Sequence, residues 1–375
     1  MKPLHRKRNW SAEDSVGWMF MGEHGGPCDK SCEMCYYAHQ KNLVFYDLNT
    51  MILMANMFKH YYGLNAADIT GGEPTIYKHI VPLVQHCKNI GLSPRIITHG
   101  QNIRDDWKLG GKVPLYKAIE EAGLELWRVS LHGNSAESHD HVLGSKGSFD
   151  RVMANLPNIG VETQFNTTLL DTNYKDLPVE VLKDREPTVW NMIYFLPYFY
   201  WSDQTGETEA AFQVQYREAA PYVARAIETM EANGWEVNMR YWPLCVAKEF
   251  GFEANVSGYH QVAFDPWEWR LGVTGRSTME SVNKDGGWYQ HERRLAEEWM
   301  SDRRNSACTG CSLDMICDKP PGQYQKKYGV SELKPVAGPM IHDPLHFQKT
   351  RVIHGTRRSV GDGDEPAEEQ AVQVG

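Results

Sequence analysis

The chain has 375 residues, 41% of them hydrophobic and 23% charged, with a formal net charge of −9 at neutral pH. That length accommodates one large domain and a smaller module, and the acidic balance excludes a general nucleic-acid binder, which needs basic surface for phosphate contacts. No apolar run reaches the length of a membrane span, and the basic start MKPLHRKRNW lacks the apolar stretch of a signal peptide.

The elements alternate in type. A strand is expected at 15–22, then a helix at 50–62 with Asn49 or Thr50 as cap and Gly63 as stop. Strands at 66–70, 94–98, 124–131, 161–169 and 188–196 are separated by helices at 78–90, 115–122, 149–159 and 177–183. A long helix follows at about 209–233, kinked at Pro221 and stopped at Gly234. Repeated βα units favour a parallel sheet with right-handed crossovers. Six such units predict an α/β fold, a partial (β/α)6 TIM-like barrel, with chemistry at the C-terminal ends of its strands.

Eight cysteines are grouped as metal ligands are, and not spread as disulfide staples, which predicts a reducing cytoplasm. Cys28, Cys32 and Cys35 supply three thiolates where a metal centre takes four ligands, so one position stays open for something other than protein. Gly25, Gly26 and Pro27 suit an irregular loop around such a centre. A second motif, Thr70-Gly71-Gly72-Glu73-Pro74, follows the second strand; its glycines permit close backbone approach, and Glu73 offers an acceptor for an ammonium group. Near the C-terminus Cys308, Cys311 and Cys317 form a third group, for which Cys245, in the strand-like YWPLC, is the fourth partner. Four thiolates suit an iron–sulfur cluster or zinc.

The Cys-x3-Cys-x2-Cys loop after a first strand resembles the signature of the radical S-adenosylmethionine (radical SAM) superfamily. The resemblance implies a 4Fe-4S cluster on Cys28, Cys32 and Cys35, with S-adenosylmethionine on its open iron, cleaved to methionine and a 5′-deoxyadenosyl radical. It also implies cofactor contacts from Met34, which precedes the third cysteine, from Gly71, Gly72, Glu73 and Pro74, and from Ser130 and Asn166 at later strand ends. His99 stands where relatives often have Asn and reads as a polar loop residue; His139, Asp140 and His141 read as a turn leading into the next helix. The run Cys308-x2-Cys311-x5-Cys317 is similar to the SPASM or twitch domains, which implies one auxiliary 4Fe-4S cluster.

The expected organisation is therefore a basic arm at 1–14, a radical SAM barrel at 15–240, a SPASM/twitch-like cysteine-rich domain at 241–330 and a peripheral extension at 331–375, disordered from about 361. Cys87 reads as a small buried apolar residue. Aromatic residues at 194–201, 241–242 and 267–269, with Asp203, Glu207, Asp265 and Glu268 nearby, suit a sugar, a nucleoside or a peptide side chain. The expected function is oxidation or epimerisation of a carbohydrate or small natural product. Peptide modification is the alternative, and a non-catalytic iron–sulfur or zinc protein is the rival from another class. The resemblance implies an electron donor such as flavodoxin or ferredoxin, and no nucleic-acid or membrane partner is expected.

Overall fold

The computed structural model describes residues 16–22, 25–32, 34–35, 38, 43–61, 63–104, 113–196, 212–256, 305–342 and 346–347. Seven strands form one all-parallel sheet in sequence order: β1 (Val16–Phe20), β2 (Ala66–Thr70), β3 (Ser93–Thr98), β4 (Leu126–Ser130), β5 (Glu162–Leu169), β6 (Val189–Tyr194) and β7 (Glu236–Arg240). The helices between them are α1 (Leu48–Asn56), α2 (Ile80–Asn89), α3 (Leu115–Glu121), α4 (Ala136–Leu143), α5 (Ser148–Asn155), α6 (Val179–Leu182) and α7 (Tyr216–Ala232). After β7 come α8 (Leu244–Phe250) and α9 (Gly322–Tyr328). The partial TIM-like barrel is present, with one strand more than the six expected. The seventh strand, EVNMR, alternates apolar and polar residues but is only five residues long.

Alternation along the strands gives the sheet two chemically different faces. One face carries Met19, Ile69, Ile96, Trp127, Phe165, Trp190, Met192, Val237 and Met239, all buried with the helices' Met51, Leu83, Val84, Val152, Val223 and Ile227. The other face carries Trp18, Asp68, Arg128, Gln164, Asn166, Asn191, Asn238 and Arg240. The polar face is concave: Arg128 on β4 bonds Asp68 across β3, and Arg240 on the last strand lies 5.9 Å from the Trp18 ring on the first. Polar groups brought together in this way satisfy one another, which a flat sheet would not allow.

Three local expectations change. Asp47, rather than Asn49 or Thr50, caps α1: its carboxylate accepts from Thr50 N at 2.9 Å. His139, Asp140 and His141 lie on a helix, α4, because Ser135 and Ser138 form a capping box and Gly144, at φ 59°, ends it. Asp140 then accepts from Phe149 N at 2.8 Å and so caps the following helix. Cys245 is helical, in α8, not in a strand; Pro243 cannot donate to a sheet ladder and suits a helix start. Cys87 is buried on α2, as a small apolar residue would be.

The region after β7 is joined to the barrel by aromatic packing. The Tyr216 ring of α7 lies 4.3 Å from Tyr194 of β6, 4.5 Å from Tyr324 of α9 and 5.0 Å from Trp242. Tyr324 hydroxyl donates to Glu332, and Glu332 accepts from Arg217 N at 2.9 Å. The aromatic run beyond Leu196, Trp267–Trp269 and the four carboxylates singled out beside them fall outside the described residues. Tyr216→Ala removes the shared ring, and chemical denaturation should show a loss of about 3–5 kcal/mol.

Candidate active site

The cysteine loop leaves β1 at the C-terminal edge of the sheet and packs directly on the turn after β2. Gly72 N donates to Gly25 O at 2.8 Å and Glu73 N to Pro27 O at 2.9 Å. The contact is backbone on backbone. A Cβ at Gly72 would lie 1.9 Å from Pro27 O, and one at Gly71, where φ is 127°, would lie 2.0 Å from Gly25 O. No side chain fits at either position, which is the physical content of the two glycines. Cys28, Cys32 and Cys35 are free thiols, and Cys35 N closes a turn on Cys32 O at 3.0 Å. Burial first of all pushes the Cys28 and Cys32 thiols up to about 12. Burial raises the Cys28 thiol although Lys30 N, which donates to its sulfur at 3.4 Å, works the other way. Thiols held this high ionise only for a cation that replaces the proton, which a metal centre does. The three-thiol donor set and the glycine cradle fit an iron–sulfur cluster.

Glu73 is anchored inside its own turn. Its carboxylate is 1% exposed. Oε1 accepts from Thr75 N at 3.0 Å, from Thr75 Oγ1 at 2.6 Å and from Thr98 Oγ1 at 2.6 Å, and Oε2 accepts from His99 N at 3.0 Å. Three of these bonds fall on Oε1 and one on Oε2, so the carboxylate shapes the Gly71–Pro74 turn while Oε2 keeps accepting capacity.

His99, read from sequence as a polar loop residue, is buried and links three segments. Its Nε2 lies 2.8 Å from Asp29 Oδ1 in the cysteine loop and 3.4 Å from Glu73 Oε2. Asn102 Nδ2 and Lys30 Nζ complete the Asp29 carboxylate at 3.2 and 3.3 Å. Burial works against the Asp29 charge, but the His99 hydrogen bond and charge and the Asn102 bond outweigh it and hold the carboxyl below its usual range. The Cys28, Asp29 and His99 ligand atoms lie within 4.8 Å of one another. Gln101 N donates to His99 Nδ1 at 3.2 Å, however, so the neutral ring keeps its proton on Nε2. His99 is thereby a donor to Asp29, not a metal ligand. The charged pair inside Cys28-Asp29-Lys30 was the only sequence signal for this clamp.

At the next strand ends, Ser130 and Asn166 are register partners on the concave face. Met34 packs beside Val142, Leu170 and Phe195, a small apolar cluster separate from the main core. His132 and His139 stack at 5.8 Å. His132 N donates to His139 Nδ1 at 3.1 Å, and Thr168 N to His132 Nδ1 at 3.2 Å. Burial, ahead of every charge, pushes these two histidines down to about 3 and about 4, so both are neutral in the folded chain.

The second cysteine group also assembles. Cys245, Cys308, Cys311 and Cys317 line one cavity with Asp314, Lys319 and Lys334. Leu244 N donates to Cys317 Sγ at 3.2 Å and Val336 N to Cys311 Sγ at 3.3 Å, and Lys334 N and the Asn305 side chain serve Cys245 and Cys308. Leu333, Lys334 and Pro335, read from sequence as part of a peripheral extension, thus form one wall of this cavity.

Residues 23–183 match the Radical SAM superfamily model. The chain therefore carries a radical SAM domain, and an iron–sulfur cluster and S-adenosylmethionine are the cofactors that family implies. Over 87% of this chain and 74% of the other, the fold matches Streptococcus suis SuiB bound to precursor peptide SuiA, at 15% identity and a TM-score of 0.56. The S-adenosylmethionine-bound form of SuiB gives 0.54 at 15% identity, over 88% of this chain and 76% of that one. Methylocella silvestris PqqA peptide cyclase is 33% identical over 89 residues, 24% of this chain and 22% of that protein. Methanosarcina barkeri Fe-coproporphyrin III synthase is 28% identical over 158 residues, 40% and 37% of the two chains. This chain thus spans well under half the length of these curated relatives.

Two outcomes follow from the geometry. Gly72→Ala must separate the two backbones, so hydrogen exchange over 25–35 should accelerate more than about tenfold while β4 to β6 stay protected. The two neutral histidines bind protons only once unfolded, at an ordinary value of 6.5. Stability is therefore fully present above about pH 6.5 and falls as pH drops toward 4, by up to about 1.4 kcal/mol per pH unit for each ring. His139→Gln, which can still accept from His132 N, should flatten that slope in urea titrations at pH 6.5 and pH 5.

Proposed function

We propose that the chain reductively cleaves S-adenosylmethionine and uses the resulting 5′-deoxyadenosyl radical to abstract a hydrogen atom from a substrate. The observation that carries this reading is the backbone seal between the three-cysteine loop and the Gly71–Pro74 turn. Cys28, Cys32 and Cys35 would hold the catalytic 4Fe-4S cluster, which when bound supplies the electron that breaks the sulfonium. Asp29, His99 and Glu73 orient the loop and the turn around it. Gly71, Gly72, Glu73 and Pro74 would contact S-adenosylmethionine through that turn, and Met34, Ser130 and Asn166 would complete its site.

Cys245, Cys308, Cys311 and Cys317 would close a second centre. Backbone N–H groups aimed at its sulfurs and the nearby lysines suit four thiolates on one metal site, and in a chain with cluster chemistry elsewhere an auxiliary 4Fe-4S cluster is preferred to zinc. Such a centre, with flavodoxin or ferredoxin as the external donor, would accept an electron from the substrate radical and give net oxidation.

The polar concave face supports a hydrogen-bonding substrate, a carbohydrate or other small natural product. A peptide substrate is the second reading, favoured by the relatives named for peptide cyclisation and a bound precursor peptide. Anaerobic reconstitution with dithionite should yield 5′-deoxyadenosine, and Cys32→Ala should abolish it; a wild type that binds iron yet leaves the sulfonium intact is a non-catalytic cluster protein. Iron should stand near about eight atoms per chain and fall toward about four in Cys308→Ala. Zinc in place of the second four rejects the auxiliary cluster.

A further inference from the structure

On the concave face the strand register lines up three side-chain amides, Asn166 on β5, Asn191 on β6 and Asn238 on β7, with Ser130 of β4 beside the first. Asn191 Nδ2 donates to Asn166 Oδ1 at 3.0 Å. Asn238 Nδ2 donates to Asn191 Oδ1 at 3.4 Å and to Glu236 Oε1 at 3.3 Å. Glu236 is fully buried and Asn238 is 1% exposed, whereas Asn191 and Asn166 are half-buried. The row therefore runs from a sealed acceptor toward the open barrel mouth.

Direction matters in such a row. Because Glu236 Oε1 accepts, Asn238 turns its NH2 group toward it and offers the second proton to Asn191, which must present its oxygen. The Asn191 NH2 group then faces Asn166, which must also present its oxygen. No single amide can flip without setting NH2 against NH2 or oxygen against oxygen. The Asn166 NH2 group is left facing away from the row, and accepting at Oδ1 strengthens it as a donor.

We propose that Glu236, Asn238 and Asn191 are positioning residues that hold Asn166 as a hydrogen-bond donor and so select an oxygen acceptor, carboxylate or ribose hydroxyl, on the bound S-adenosylmethionine. This rests on the reading of Asn166 as a cofactor contact. The relay explains why four polar side chains, three of them in register, sit together on a face that could have been apolar. It also assigns a role to β7, which supplies two of the four and was not legible as a strand.

The test is equilibrium binding of S-adenosylmethionine to the full chain with its clusters reconstituted, and Asn166→Ala should weaken it about tenfold. Asn191→Asp keeps the shape but only accepts, so it captures the Asn166 NH2 group and turns that residue's oxygen on the ligand; a loss of about 10- to 100-fold is expected. Asn191→Ala leaves Asn166 free to donate and should cost less than the aspartate, the reverse of the order that packing alone would give. Glu236→Gln, which lets the whole row reverse, should cost about three- to tenfold and serves if the aspartate variant does not load iron. Decarboxylated S-adenosylmethionine separates the two acceptors: the Asn191→Asp effect vanishes with it if the carboxylate is the partner and persists if the ribose is. If Asn166→Ala weakens binding while Asn191→Asp is no worse than Asn191→Ala and Glu236→Gln binds as wild type, the relay is overturned and the cofactor reading stands. Unchanged affinity in Asn166→Ala removes Asn166 from the cofactor site and the relay with it.

Discussion

Two main-chain hydrogen bonds, from Gly72 N and Glu73 N to the carbonyls of Gly25 and Pro27, carry the architecture of the site. They join the loop after β1 to the turn after β2 with no side chain between them. Backbone–backbone contact is the closest approach two segments can make, and it depends on two residues that lack a Cβ. Everything polar nearby is arranged around that seal. Glu73 stabilises its own turn, and His99 reaches from β3 to hold the Asp29 end of the loop.

The sheet shows how one set of strands serves two purposes. Its convex face is apolar and packs against helices, which contributes most of the burial that holds the barrel together. Its concave face is polar and stays partly open, and those groups are satisfied laterally, by Arg128 on Asp68 and by amide on amide across β5, β6 and β7. A parallel sheet buried on both faces would read as continuous hydrophobic runs. Here the alternation in QFNTTL and WNMIY reports a barrel whose interior is kept for ligands.

The cysteine-rich end depends on the barrel for its shape. Cys245 starts a helix directly after β7, while the other three cysteines arrive after a long intervening stretch of chain. They converge because Tyr216 of α7 packs against both Trp242 and Tyr324. Glu332 and Lys334 on the following segment meet Arg217 and Glu249 of the barrel side, which brings Val336 N onto a cysteine sulfur. Burial raises the Cys245, Cys308 and Cys317 thiols, which a metal would deprotonate by taking the proton's place.

Local residue chemistry alone determined the class of fold, both cysteine groups and the glycine turn, because each is written in spacing or in period. What only the tertiary structure decided are the contacts between residues far apart in the chain. The Asp29–His99–Glu73 clamp joins three separate strand ends, and no spacing encodes it. Glu73 reads in isolation as a ligand for a cation, and only the tertiary structure brings Thr98 and His99 onto its carboxylate as donors. β7 alternates over only five residues, too few to distinguish it from a loop, yet its register with β6 sets Asn238 beside Asn191 and brings Glu236 to the end of the amide row. The segment after residue 330, polar and Pro/Gly-rich, reads as peripheral until packing turns its backbone N–H groups onto sulfur. Sequence pattern reports what a residue's own neighbours dictate; hydrogen-bond partners recruited across the barrel are fixed by strand order and curvature.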